Sequence, residues 1–179
     1  MEHIPSGSQL QLANSATVRY VQLFDIDKSL SVYCNRGASG IDGSSSTAIG
    51  AAVAGEEPTT LITGDLSFFY DSNALWNAYI PKDFKIIIIN NGGGGIFRIL
   101  PGSKNTEAYT TYFETTHQLT AEHLAQMYDM HYTKATSSEA LHAALKKCYA
   151  TNDKAFILEI FTPRTLNDEI LLKYFEFIR

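Results

Sequence analysis

Four consecutive isoleucines, Ile86 to Ile89, are the feature that most restricts the fold of this chain. They belong to the segment KIIIIN at 85–90, and a similar apolar segment, AFILEIF, stands at 155–161. A run of apolar residues without alternation, rich in β-branched side chains, predicts a strand buried on both faces. Such strands are typical of parallel sheets covered by helices above and below. We therefore predict an α/β fold with a largely parallel sheet and helices on both faces.

The rest of the sequence alternates between strand and helix patterns, as that fold requires. Further strands are predicted at 30–34, 59–63 and 131–135. Helices are predicted at 14–24, 44–54, 67–79, 120–130 and 165–178, and another ends at Ala150 after a capping-box pattern formed by Thr136 and Glu139. Residues 1–13 lack periodicity and are predicted to be a leader or linker, which gives a domain at 14–179. The segment 92–118 is predicted to be irregular.

Charge and composition exclude several classes of protein. The chain has 179 residues, which suits one domain, and its 14 basic against 19 acidic residues argue against a nucleic-acid surface. No apolar run reaches the ~20 residues of a membrane helix, and the first residues do not resemble a secretory signal. Two cysteines are too few for a disulfide framework, and the five histidines form no HExxH pair. We expect a cytoplasmic protein with reduced thiols.

Three glycine-containing loops follow predicted strands. They are NRGASGIDG at 35–43, GDLS at 64–67 and NNGGGG at 90–95. Each loop taken alone could be a simple turn. In an open α/β sheet, however, ligands bind beyond the carboxyl ends of the strands, where all three loops should lie. Together they predict a ligand site at this edge.

Asp65 and the pair Asn90-Asn91 are the residues of these loops with the clearest chemistry. One strand–helix–strand unit separates them, so their side chains should meet at adjacent strand ends. A carboxylate, an amide oxygen and a carbonyl of the glycine loop are hard ligands that suit Mg²⁺. The alternative is that Asp65 caps a helix and the asparagines form a turn.

This arrangement of G-D, helix, strand and N-N resembles the diphosphate-binding domain of thiamine diphosphate (ThDP) enzymes. The resemblance implies a divalent ion, Mg²⁺ or Mn²⁺, held by Asp65, Asn91 and the carbonyl of Gly93. Leu66 departs from the usual GDG motif. The three motifs at 35–43, 64–75 and 90–101 together are similar to those of the MenD-type synthases of menaquinone biosynthesis.

The resemblance also implies roles for individual residues. Ile41 would support the bent conformation of the cofactor. The expected ThDP contacts are Ser39, Gly40, Ile41, Gly64, Asp65, Leu66, Ser67, Asn91, Gly93, Gly94 and Ile96. Both expected substrates, 2-oxoglutarate and isochorismate, are dicarboxylates, and arginines are suited to bind carboxylates. The expected substrate contacts are Ser15, Arg19, Arg36, Ile96 and Phe97.

One catalytic group of ThDP enzymes is expected outside these 179 residues. It is a glutamate on a pyrimidine-binding domain, usually of a neighbouring subunit. The resemblance therefore implies the C-terminal part of a longer three-domain enzyme, a homodimer or homotetramer, and an isolated chain without activity. The alternatives are an acetolactate-synthase-like carboligase and a non-catalytic nucleotide- or anion-binding module. The second lacks support from a GxGxxG motif between strand and helix.

Overall fold

The structure, a computed structural model, describes residues 2–99 and 106–178. Within these residues six strands form one sheet in the order β2-β1-β3-β4-β6-β5, and every neighbouring pair is parallel. The strands are β1 (Gln9–Leu12), β2 (Ser31–Cys34), β3 (Thr59–Gly64), β4 (Lys85–Asn90), β5 (His131–Ala135) and β6 (Phe156–Phe161). The α-helices are α1 (Ala16–Val21), α2 (Ser44–Ala54), α3 (Asp65–Tyr70), α4 (Glu122–Met127), α5 (Ser138–Ala150) and α6 (Asn167–Phe177). The predicted α/β class is confirmed.

Helices cover both faces of this sheet. Ile86 and Ile88 of β4 pack into a buried cluster that includes residues of α2 and α4. On the opposite face, α1 packs on β1 and α5 packs on β5 and β6. The four isoleucines therefore form the doubly buried strand that their sequence predicts, with the predicted bounds.

The prediction of a leader at 1–13 missed a strand. Gln9–Leu12 forms β1, which lies between β2 and β3 and pairs with both. Its leucines are buried against α1, while Gln9 is half-buried. Four residues are too few to give a periodic signal, so the strand is defined by its two neighbours in the sheet.

Several predicted helix boundaries were also wrong. The predicted helix 67–79 is α3 followed by a 3₁₀ turn at Ser72–Trp76. α1, α4 and α6 are shorter than predicted, and the segment 92–118 contains a 3₁₀ turn at Gly95–Arg98 and a π-helical turn at Tyr109–Glu114. The residue that caps α5 is Ser137 and not Thr136, because the Ser137 hydroxyl accepts the N–H of Ala140 at 3.2 Å. The last two positions of the 90–101 motif lie outside the described residues.

The strand order places a topological switch point between β1 and β3. From β1 the chain continues to β2 on one side of β1, whereas β3 lies on the other side of β1. The direction in which successive strands are added therefore reverses here. Ligands of open α/β sheets bind at such switch points, beyond the carboxyl ends of the strands. The segments that leave β1 and β3 here are 13–15 and 64–67. In the part of the chain that the structure describes, no helix has the length and apolarity needed to cross a membrane.

Candidate metal and cofactor site

Asp65 lies at the centre of the candidate site. It follows β3 directly, and its side chain is almost fully buried. One carboxylate oxygen, Oδ1, accepts the N–H of Leu66 at 2.8 Å, and Oδ2 accepts the N–H of Gly93 at 3.0 Å. Because Gly64 of β3 stands opposite Ile89 of β4, the loops that follow the two strands are adjacent. Asp65 thus contacts the glycine loop of the NNGGGG motif.

The surroundings of Asp65 fit a divalent cation. Burial raises the pKa of Asp65 above its usual range, although the backbone amides of Leu66 and Gly93 and the neighbouring His117 imidazole act in the opposite direction. A buried carboxylate is costly to ionise unless a positive charge compensates it. A divalent ion bound by this carboxylate, with further oxygen ligands from the adjacent loop, would provide that charge.

The glycine loop needs its glycines for two physical reasons. Gly92 and Gly93 have positive φ values of 72° and 148°. A Cβ atom on Gly93 would lie 2.6 Å from the carbonyl oxygen of Glu114, at the end of the π-helical turn. The N–H of Gly94 donates to that same carbonyl at 2.6 Å. The loop is therefore pressed against Glu114, which leaves no room for side chains at this position.

Asn90 and Asn91 have different surroundings. Asn90 is buried: its Nδ2 donates to Glu159 Oε1 at 2.7 Å and to the carbonyl of Leu119 at 3.0 Å. Its Oδ1 accepts the N–H of Gly92 at 3.0 Å. Asn90 therefore shapes the loop, while Asn91 is half-buried at the start of the loop, beside Gly95. Asn91 is the asparagine of this pair that is predicted to be a metal ligand.

Asn14 connects the segment that follows β1 with the loop that follows β2. It is buried, and the sequence predicted only a helix-capping role for it. Asn14 donates from Nδ2 to the carbonyl of Gly40 at 2.8 Å, and its Oδ1 accepts Arg36 Nη1 at 2.8 Å. The Ser67 hydroxyl donates to the carbonyl of Ile41 at 2.5 Å. Hydrogen bonds thus connect the loops that follow β1, β2 and β3 at one edge of the sheet.

The remaining predicted residues lie around this edge. Ser15 precedes α1 with a positive φ of 72° and makes no side-chain capping hydrogen bond, while Arg19 is exposed in the last turn of that helix. Ser39 is exposed in the NRGASGIDG loop. Ile96 and Phe97 are half-buried in the 3₁₀ turn, where Phe97 packs edge-on against Phe113 with ring centroids 5.7 Å apart.

The predicted contacts of the candidate site differ in their exposure. A cavity of about 400 Å³ lies elsewhere, beside β1, β2 and α2, and none of the predicted site residues lines it. Among the predicted contacts, Ser39 and Gly40 are exposed, whereas Asp65, Ser67 and Gly93 are buried.

Sequence reasoning missed three buried groups that support this edge. They are Glu114, Glu159 and His117. The Glu114 carboxylate forms ion pairs with Arg98 and Arg164, and its backbone carbonyl accepts a hydrogen bond from Gly94 of the glycine loop. Glu159 stands in the apolar run AFILEIF, so a charged residue within a buried strand was the one signal available for it.

A parallel sheet with a buried aspartate and a glycine loop at its switch point defines a cofactor-binding α/β domain. Residues 14–160 match the family described as "Thiamine pyrophosphate enzyme, C-terminal TPP binding domain", and the chain belongs to this family. The predicted resemblance to ThDP enzymes is confirmed. The cofactor expected for the family is thiamine diphosphate with a divalent metal ion.

Curated relatives with high identity carry one name. The chain is 60% identical over 178 residues to the 2-succinyl-5-enolpyruvyl-6-hydroxy-3-cyclohexene-1-carboxylate synthase of Christiangramia forsetii, covering 99% of the chain and 31% of the relative. It is 59% identical over 176 residues to the synthase of the same name from Flavobacterium johnsoniae, covering 98% of the chain and 32% of the relative. The chain thus spans about a third of the length of these relatives.

A solved structure has the same fold. The ThDP-dependent 4-hydroxybenzoylformate decarboxylase of Rhodococcus jostii RHA1 matches with a TM-score of 0.65 and 23% identity, over 89% of this chain and 30% of that one. This likeness supports the fold of the diphosphate-binding domain.

Proposed function

We propose that the chain is the C-terminal, diphosphate-binding part of a 2-succinyl-5-enolpyruvyl-6-hydroxy-3-cyclohexene-1-carboxylate synthase, a transferase of menaquinone biosynthesis. The observation that carries the proposal is the identity of about 60%, which extends over 99% of the chain. The whole enzyme would decarboxylate 2-oxoglutarate and add the remaining four-carbon unit to isochorismate in a 1,4-addition. We infer a cytoplasmic location for it.

The residues around Asp65 would hold the cofactor. Asp65, Asn91 and the carbonyl of Gly93 are the proposed ligands of Mg²⁺ or Mn²⁺. The buried carboxylate and its contact with the N–H of Gly93 support this assignment. Bound ThDP supplies the electron sink for decarboxylation, and the protein supplies binding, orientation and charge.

The loop that follows β2 would serve both cofactor and substrate. Its backbone is fixed by Asn14 and Ser67, which hold the carbonyls of Gly40 and Ile41. A rigid backbone is what Ile41 needs if it is to support a bent cofactor. Arg36 donates one hydrogen bond to Asn14 and is otherwise exposed, so its other donors are available for a substrate carboxylate.

The exposure of Arg36, Ser39 and Gly40 in the loop after β2 supports a role for a second domain. We propose that a pyrimidine-binding domain, from another subunit of a homodimer or homotetramer, covers the site and supplies the catalytic glutamate. Ser15, Arg19, Ile96 and Phe97 would then face the substrates in the closed site. The 179-residue chain alone is expected to be inactive, since it would hold only the diphosphate half of the cofactor.

The test is an activity assay of the full-length protein. With ThDP and Mg²⁺ we expect CO₂ release from 2-oxoglutarate and formation of the succinylated product when isochorismate is present. Absence of CO₂ release from 2-oxoglutarate would refute the proposal. Faster turnover of pyruvate than of 2-oxoglutarate would indicate an acetolactate-synthase-like carboligase instead. Turnover by the isolated chain at the full-length rate would refute the second-domain argument.

A further inference from the structure

The side chain of His117 lies beside the proposed metal ligand. Its Nε2 lies 3.2 Å from Asp65 Oδ2, and the two side chains are only 10% and 4% exposed. The imidazole packs edge-on against the ring of Phe69, with centroids 5.5 Å apart. Nε2 has no aligned hydrogen bond, which is unusual for a buried nitrogen. It therefore faces the metal site with an unused hydrogen-bonding position.

Backbone contacts fix the position of the ring and its tautomer. The N–H of Leu119 donates to Nδ1 at 3.1 Å, so Nδ1 is the acceptor nitrogen of the neutral ring. The proton of the neutral ring is then on Nε2, so this nitrogen is a donor that lies 3.2 Å from Asp65 Oδ2 without being aligned for a hydrogen bond. The N–H of His117 itself donates to the carbonyl of Gly92 at 3.2 Å. The histidine is thus attached to the same glycine loop that contacts Asp65.

The groups that donate hydrogen bonds to Asp65 are backbone amides. Leu66 donates to one carboxylate oxygen and Gly93 to the other. These amides follow the backbone of α3 and of the loop, whereas His117 comes from a separate segment that packs over both. Carboxylates that bind metals are commonly oriented by hydrogen bonds from neighbouring residues, and loss of such a partner typically lowers metal affinity 10–100-fold.

We propose that His117 is a positioning residue for metal binding: Nε2–H, which lies 3.2 Å from Oδ2, aligns with the Asp65 carboxylate as a hydrogen-bond donor when that carboxylate binds the divalent cation, and so orients it. The proposal rests on the metal role of Asp65 proposed above. It extends the site to a residue outside the three loop motifs.

Two substitutions distinguish the role of Nδ1 from the role of Nε2. In His117→Asn, the side-chain oxygen falls near the position of Nδ1 and keeps the acceptor for Leu119, but no donor reaches Asp65. In His117→Gln, the amide nitrogen reaches as far as Nε2 and retains that donor. The measurement is calorimetric titration of Mg²⁺ into the full-length protein with a fixed concentration of ThDP. We expect His117→Asn to raise the half-saturating Mg²⁺ concentration about 10-fold or more, and His117→Gln to restore most of the loss.

The controls make each outcome decisive. His123 is an exposed histidine of α4, and His123→Asn should leave the Mg²⁺ titration unchanged. Unchanged Mg²⁺ dependence in Asp65→Ala would refute the metal assignment itself. If Asp65→Ala loses binding but His117→Asn titrates like the wild type, only the inference about His117 is overturned. Equal losses in His117→Asn and His117→Gln, together with equal falls in Tm, would show a purely structural role and overturn it as well.

Discussion

Replacement of Glu159 by alanine should destabilise the domain severely. Glu159 is completely buried, and its carboxyl group accepts three side-chain hydrogen bonds at 2.7 Å, from Asn90 Nδ2, the Thr120 hydroxyl and the Tyr132 hydroxyl. The N–H of Ala121 donates to the same group at 3.1 Å. The residue therefore joins β4, β5 and the segment before α4 from its place in β6.

The loss in the free energy of unfolding can be estimated from the hydrogen bonds that each donor retains in Glu159→Ala. In the variant, Asn90 keeps its hydrogen bond to the Leu119 carbonyl. The hydroxyls of Thr120 and Tyr132 keep the hydrogen bond to each other at 3.1 Å. The N–H of Ala121 is left buried without its carboxyl acceptor, at a cost of about 1–3 kcal/mol. Each of the three weakened donors loses about 0.5–1.5 kcal/mol. We expect a total loss of about 2.5–7.5 kcal/mol for Glu159→Ala, a large fraction of the usual stability of a domain.

Glu159→Gln is the matched conservative variant. Its amide oxygen can accept from Asn90 and Ala121, and its amide nitrogen can donate to the two hydroxyls, which are able to accept. We therefore expect a loss of only about 1–2 kcal/mol. Glu56, which is exposed in the loop after α2, supplies the surface control, and Glu56→Ala should change stability by less than about 0.5 kcal/mol.

The assay is urea unfolding of the full-length protein, followed by circular dichroism, for the wild type and the three variants. Because Asn90 also accepts the N–H of Gly92, we expect Glu159→Ala to weaken Mg²⁺-dependent ThDP binding in addition. A loss below about 1 kcal/mol for Glu159→Ala, or equal losses for the alanine and glutamine variants, would refute the hydrogen-bond reasoning.

Three further substitutions test the candidate site. Asp65→Ala should abolish Mg²⁺-dependent ThDP binding in calorimetry with little change in the circular dichroism spectrum, because it removes a proposed metal ligand at a strand end and little core volume. Normal cofactor affinity would contradict this. Arg36→Ala should raise KM for a dicarboxylate or lower kcat while ThDP affinity stays near normal, and a parallel loss of ThDP binding would place Arg36 on the diphosphate. Gly93→Ala should lower the free energy of unfolding by at least about 1–3 kcal/mol and weaken Mg²⁺ binding, since the added Cβ meets the Glu114 carbonyl in a strained backbone conformation. Gly37→Ala, which places its Cβ in open space, is the control and should leave both measurements near the wild-type values.

The sequence alone determined the fold class and indicated the edge of the sheet at which the candidate site lies. The isoleucine run predicted β4 with its correct bounds, because burial on both faces leaves a local signal in the sequence. The glycine loops after the strands indicated the carboxyl edge, and the spacing of Asp65 and Asn90 predicted that β3 and β4 are neighbours. These features depend on local pattern and on the general rule that parallel strands end at one edge.

The tertiary structure decided what local pattern does not encode. β1 is four residues long, and it is a strand because β2 and β3 supply hydrogen-bonding partners on both sides. Glu159 holds Asn90 from 69 residues away, and Gly93 meets Asp65 from 28 residues away. His117 reaches Asp65 from a segment whose sequence predicted no regular structure. Such contacts depend on how distant segments pack, so a buried polar residue found its partner only when the chain folded.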